Sequence, residues 1–285
     1  MTNSLMLARD AFLSRFPEKR IELEGRDWGL IDTGGAGEAF LFLPGTLGRA
    51  DIFFAQIEAL APHCRVLSVS YPDSGGVPEW SASLTLLLAR LGIARTAVLG
   101  SSLGGFLAQY FAARNPGLVT HLFPANTLAD VGAPRTHLPY SLDLWHAPIE
   151  DLRAGFETAM SAAQAAYPDW AEMFDLLLTE AGGRILENEL RARLDAIKTG
   201  PVLPPLTNTA DSATTIESVD DPLIPPPMRD AVRARNAPAA GFRFLWGGHF
   251  PYLLRPALYT NILTARLGLE PLSADWVLQD GIFQA

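Results

Sequence analysis

One short apolar run limits what this chain can become. "AFLFLP" at 39–44 is a continuous apolar run of the kind that forms a strand buried on both faces of a sheet. "RVLSVSY" at 65–71 and "TAVLGS" at 96–101 read as further strands. Between and after them stand "IFFAQIEALA", "WSASLTLLLARLG" and "LGGFLAQYFAARN", each with helical spacing, and then a further strand, "VTHLFPAN". Strict alternation of strand and helix predicts a parallel sheet with crossover helices on its faces. Upstream, Leu5, Ala8, Phe12 and Phe16 space an amphipathic helix ended by Pro17, and "RIELEG" with "WGLIDTG" predicts two strands joined by a tight turn.

The alternation stops at Thr127. From there to Pro205 the chain offers the turn-rich "DVGAPRTHLPYSLDLWHAPIE" and helical stretches such as "EDLRAGFETAMSAAQAAY" and "NELRARLDAIKTG", with no strand between them. Residues 127–205 are therefore expected to form a helical lid, inserted between core segments 1–126 and 206–285. Alternation resumes with "SATTIESV"; "FRFLWG" is expected to be the last strand, ahead of a helix over "YLLRPALYTNILTARLG". A length of 285 residues suits one core fold with an insertion.

Composition narrows the partners. A net charge of −9 argues against a nucleic-acid surface, because phosphate affinity rests on clustered Lys and Arg. Cys64 is the only cysteine, so no intramolecular disulfide forms and no thiolate-rich metal site can be built. The opening apolar run is cut short by Arg9 and Asp10, and no later run approaches a membrane span. The expectation is a cytoplasmic protein with a neutral or weakly charged small-molecule partner.

Chemistry enters at "VLGSSLGGFLAQ". Gly100, Ser102 and Gly104 form G-x-S-x-G between a predicted strand and a predicted helix, the setting of a nucleophile elbow. The serine backbone is strained in so sharp a turn, and side chains two residues to either side would collide with the neighbouring chain. Ser101 fills the variable position of the motif; Ser102 stands at its apex.

An elbow serine needs a base and an acid that orients the base, in the chain order Ser, Asp or Glu, His. His249 follows the predicted strand "FRFLWG" and is preceded by Gly247 and Gly248, which let a loop carry the imidazole over the serine. His63 falls in a helix-to-strand loop, His121 inside a strand, and His137 and His146 in the expected lid. For the acid, "ESVDDPLIP" offers Asp221, at a strand exit before a proline-bounded turn, with Asp220 as its competitor; Glu217 falls within the strand. Both aspartates also fit a simple turn-capping role. Donors for a developing oxyanion are expected from the N–H of Leu103, after the nucleophile, and of Thr46 in "LPGTLG", with Leu47 second. Tyr140, Trp145, Phe156, Tyr167, Trp170 and Phe174 are candidates for a pocket lining, although aromatics at helical spacing more often fill a core.

With these residues placed, the chain resembles the α/β-hydrolase superfamily and, within it, maspardin-type proteins. The resemblance is carried by "FLFLPGTLGRADIFFAQIEAL", "VLGSSLGGFLAQYFA" and "GGHFPYLLRP". It implies an α/β-hydrolase fold, with Pro44 standing where many such enzymes carry histidine. Animal members of the maspardin group have asparagine at the position of His249 and are regarded as non-catalytic, so the resemblance also implies a binding role as the alternative. The histidine present here argues for catalysis. The expected activity is that of a serine carboxylesterase, using Ser102, His249 and Asp221 with the Thr46 and Leu103 oxyanion donors. No metal or organic cofactor is expected. A carbon–carbon hydrolase or lyase using the same triad is a further alternative.

Overall fold

The computed structural model describes residues 3–35, 37–207 and 209–285. Met1, Thr2, Ala36 and Asn208, which fall in the two expected core segments, lie outside the described residues. The opening helix, α1 (Ser4–Arg15), is capped by Asn3, whose side-chain oxygen accepts from Met6 N at 3.0 Å. Strands β1 (Lys19–Leu23) and β2 (Arg26–Asp32) form the expected hairpin, turning through Glu24 and Gly25, both at positive φ.

The alternating part follows as β3 (Ala39–Leu43), α2 (Phe54–Leu60), β4 (Arg65–Ser70), α3 (Val77–Arg90), β5 (Thr96–Ser101), α4 (Leu103–Arg114) and β6 (Val119–Ala125). Helices α5 (Ile149–Ala166), α6 (Ala171–Thr179) and α7 (Glu187–Lys198) come next, with no strand among the described residues between β6 and β7 (Thr214–Ser218). The chain continues through α8 (Pro226–Asn236), β8 (Ala240–Phe244), α9 (Pro251–Leu254), α10 (Pro256–Arg266), β9 (Val277–Gln279) and β10 (Ile282–Gln284).

Among the described residues ten strands join one sheet in the order β1-β2-β4-β3-β5-β6-β7-β8-β10-β9, and the run from β4 through β8 is parallel. The two-faced burial inferred for "AFLFL" has a direct cause in the pleat. Phe40 and Phe42 pack with α2 and α10 residues on one face, while Leu41 and Leu43 pack with α3 and α4 residues on the other. Each such side chain contributes roughly 1.5–3 kcal/mol relative to exposure. Helix α1 belongs to the first face, with Phe12 buried, and is tied to α6 where Asn3 Nδ2 donates to the Glu172 carbonyl at 2.7 Å.

Two expectations are corrected at the C-terminal end. β8 is not the last strand: β10 adds parallel to β8, and β9 pairs antiparallel with β10. The turn between them is Asp280-Gly281, both at positive φ, flanked by strands too short to stand out by periodicity. They are held by Phe283 stacked on Phe242 at 5.1 Å and by Trp276 edge-on to Phe242 and Phe244. The helix expected over "YLLRPALYTNILTARLG" breaks at Arg255 (φ −130°, ψ 48°), because Pro256 disfavours helical geometry in the residue before it. Among the described residues no helix is long and apolar enough to cross a membrane.

Candidate active site

The parallel order brings the carboxyl ends of β5, β6, β7 and β8 to one edge. Ser102 sits at the β5 exit with φ 54° and ψ −120°, a strained conformation for a residue with a side chain. Strand β6 and the residues directly after it hold it there. Ser102 N–H donates to the Ala125 carbonyl at 3.1 Å, and the Ser102 carbonyl accepts from the Thr127 hydroxyl at 2.6 Å. A Cβ on Gly104 would fall on the Leu43 carbonyl, and one on Gly100 would fall on the Gly104 carbonyl. The motif glycines are thus demanded by close approach between chains. Ser101 is buried, whereas Ser102 is half-buried.

Across from the serine lies the loop after β3. Its Gly45–Gly48 turn closes with Gly48 N–H donating to the Gly45 carbonyl at 3.1 Å, and a Cβ on Gly45 would stand 3.2 Å from Ser102 Cβ. Among the described residues the N–H groups of Thr46, Leu47 and Leu103 donate to no protein acceptor. The loop is braced from below and from the helical segment. Tyr71 Oη donates to the Pro44 carbonyl at 2.8 Å, and Arg193 of α7 donates to the carbonyls of Gly48 (2.6 Å) and Thr46 (3.2 Å). The Tyr140 side chain also interacts with Thr46. Arg193 is fully buried, and burial lowers its pKa to about 10 against the pull of Glu189 and Tyr71.

Of the five histidines, His249 alone stands at this edge. Its Nδ1 contacts both oxygens of Asp221, at 2.8 Å to Oδ2 and 3.0 Å to Oδ1, and both residues are buried. Asp221 Oδ1 also accepts from Leu223 N (2.8 Å) and Ile224 N (3.1 Å), so the capping role coexists with the histidine contact. Burial pushes the Asp221 carboxyl up, but the His249 imidazole, the Asn126 amide and the Leu223 N–H outweigh it and hold the pKa below its ordinary value. Among the described residues no hydrogen bond joins Ser102 Oγ to the imidazole. His121 lies in β6 against Thr214 Oγ1 at 2.8 Å, and burial with Arg266 nearby lowers its pKa to about 4. His63, His137 and His146 are exposed.

Three side chains at this edge escape sequence reasoning. Asn126 Nδ2, at the β6 exit, reaches Asp221 Oδ2 (3.0 Å), Ser218 Oγ (3.1 Å) and the Gly248 carbonyl (3.3 Å). Thr127 and Arg193 are the other two. A polar residue directly after a buried strand is a weak signal for the first two; an arginine at helical spacing carries none for the third. Among the aromatics, Tyr167 and Trp170 stack at 4.4 Å and, with Asp169, Asp220, Trp246 and Leu254, line a cleft of about 440 Å³. Phe174 is part of the core, and Trp145 is exposed.

Comparison with known proteins agrees with this architecture. The chain is 38% identical to maspardin of Danio rerio over 107 residues, which is 35% of this chain and 34% of that protein; the match thus spans about a third of the relative's length. Human maspardin is 37% identical over the same extent. In fold this chain is similar to an enol-lactonase from Burkholderia xenovorans, with TM-score 0.69, 18% identity and coverage of 88% of this chain and 100% of the other. It is similar in the same way to a meta-cleavage product hydrolase from Pseudomonas fluorescens, with TM-score 0.64, 15% identity and coverage of 88% and 97%. At such identities these two likenesses speak to fold alone. The family model described as "alpha/beta hydrolase fold" matches residues 38–256, well over half of the sequence, and this chain belongs to the α/β hydrolase fold family.

Proposed function

We propose that this protein is a serine hydrolase of carboxylic esters, acting through Ser102, His249 and Asp221 on a small or medium uncharged substrate. Family membership supports hydrolase activity in general. The observation that carries the finer reading is the Asp221–His249 contact at the sheet edge that also holds the strained Ser102. With Nδ1–H given to Asp221, Nε2 is left as the proton acceptor.

In this mechanism Ser102 Oγ attacks the ester carbonyl as its proton passes to His249 Nε2. The carbonyl oxygen takes the negative charge under the N–H groups of Thr46 and Leu103. Collapse of the tetrahedral intermediate breaks the bond to the alcohol, which leaves with the proton from His249. Water then gives its proton to His249 and attacks the acyl-serine, releasing the acid and restoring the serine. Asp221 steadies the imidazolium formed in each half. Residues 127–205, with Arg193 and Tyr140 on the Thr46 loop and Trp170 on Gly248, serve in this reading as the lid.

A fluorophosphonate probe tests the proposal. Wild type is expected to be labelled and to hydrolyse short and medium p-nitrophenyl esters, with both lost in Ser102→Ala; an unlabelled, inert wild type overturns it. The likeness to maspardin favours a second reading, a binding protein without turnover, which predicts no hydrolysis. Carbon–carbon cleavage by the same residues would appear in product analysis as a broken carbon–carbon bond, with no turnover of esters.

A further inference from the structure

We propose that Asp220 is a positioning residue, whose carboxylate holds the backbone of Gly247 and Gly248 so that His249 is presented to Ser102. The proposal rests on the serine-hydrolase reading above. Asp220 and Asp221 are neighbours in the chain, yet they face different partners. Asp221 takes the imidazole; Asp220 Oδ2 accepts from Gly247 N at 3.1 Å and Oδ1 from Gly248 N at 2.9 Å.

A surface aspartate that merely capped its turn would bond residues two or three positions ahead, as Asp221 does with Leu223 and Ile224. Asp220 instead spans 27 and 28 residues, from the loop after β7 to the loop after β8. Hydrogen bonds to an ionised carboxylate are shorter and stronger than neutral ones, and two in parallel fix direction as well as distance.

The loop needs such a hold. Gly247 and Gly248 take φ 150° and 56°, so no side chain stiffens the two residues before His249. A Cβ on Gly248 would stand 3.0 Å from the Trp170 ring, which closes that side. On the other side the Asn126 amide reaches the Gly248 carbonyl at 3.3 Å while also bonding Asp221. The peptide units on both sides of Gly248 are therefore gripped, one by Asp220 and one by Asn126. The imidazole swings on the second of these units, and among the described residues its hydrogen bonds run through Nδ1 to Asp221.

The test compares wild type, Asp220→Ala and Asp220→Asn. Melting temperature, fluorophosphonate labelling rate, and kcat and KM for a p-nitrophenyl ester are measured for each. The expected result is a folded Asp220→Ala whose labelling rate and kcat fall about tenfold or more with KM within about twofold. Asp220→Asn keeps one oxygen acceptor and is expected to fall between the two. Should Asp220→Ala not fold, Asp220→Asn decides, with a kcat loss of about threefold expected. A wild-type labelling rate and kcat in the deciding variant, or a loss carried by KM alone, overturns the proposal while Ser102 remains the nucleophile. An unlabelled wild type overturns the serine-hydrolase reading and this proposal with it.

Discussion

The two halves of the candidate site are built by different means. On the Ser102 side, geometry is imposed by steric exclusion: Gly100 and Gly104 leave no room for side chains, and the serine backbone is forced to φ 54°. On the His249 side, geometry is imposed by side-chain hydrogen bonds from Asp221, Asp220 and Asn126 to groups distant in the chain. The loop after β3 belongs to both, with the Gly45 approach to Ser102 at one end and the Arg193 and Tyr71 braces at the other. Steric exclusion tolerates no substitution and costs folding when violated. Hydrogen-bonded positioning tolerates substitution in folding and costs rate.

Four substitutions test this contrast. Asp221→Asn is expected to leave the fold intact and lower kcat by about 10⁴-fold, because an amide cannot steady the imidazolium; a loss under tenfold would remove Asp221 from the mechanism. The same variant carries a pH signature. Because folding holds the Asp221 carboxyl below its ordinary pKa of 3.8, the unfolded chain binds more protons in that range. Its stabilisation is present above pH 3.8 and is lost as pH falls through the folded value, so urea midpoints of wild type should drop there more than those of the variant.

Gly104→Ala reverses the pattern, since its Cβ would fall on the Leu43 carbonyl. It is expected to cost about 3 kcal/mol or more, a hundredfold in the folding equilibrium, measured by urea unfolding; an unchanged midpoint would refute steric exclusion. Arg193→Met is expected to lower kcat about tenfold by loosening the Thr46 loop, with stability changed by less than about 2 kcal/mol. The small stability change follows from the guanidinium's own deficit, since among the described residues its buried Nε and Nη2 make no hydrogen bond and Glu189 stands 4.0 Å from Nη2. A large fall in the urea midpoint would make Arg193 a core residue instead. Ser102→Gly is the mildest in folding. Release of backbone strain, offset by glycine's greater unfolded freedom, should raise the melting temperature by about 2–4 °C while abolishing labelling.

Legibility in the sequence follows the same division. Exclusion leaves glycines at fixed offsets, so the spacing of Gly100, Ser102 and Gly104, set between a predicted strand and a predicted helix, points to a sharp turn at the serine. Chain order then points to Asp221 and His249, and both stand at the expected edge. Hydrogen-bonded support leaves no such trace, because asparagine, aspartate or arginine at a loop or helix position has many uses. Hence Asp220 is readable only as a competitor to Asp221, Asn126 only as a polar residue after a buried strand, and Arg193 not at all. The same holds for β9 and β10, whose three residues apiece are too few for a period and join the sheet through Phe283 on Phe242.

By itself the sequence determined the parallel sheet, its crossover helices and the place of the strained serine, because burial on two faces and close approach of chains restrict residue type locally. Only the tertiary structure decided which side chains meet: Asp221 on the imidazole, Asp220 on the glycine loop, and Arg193 beneath Thr46. Those contacts span 27 to 147 residues, and nothing local in the chain specifies a partner at that separation.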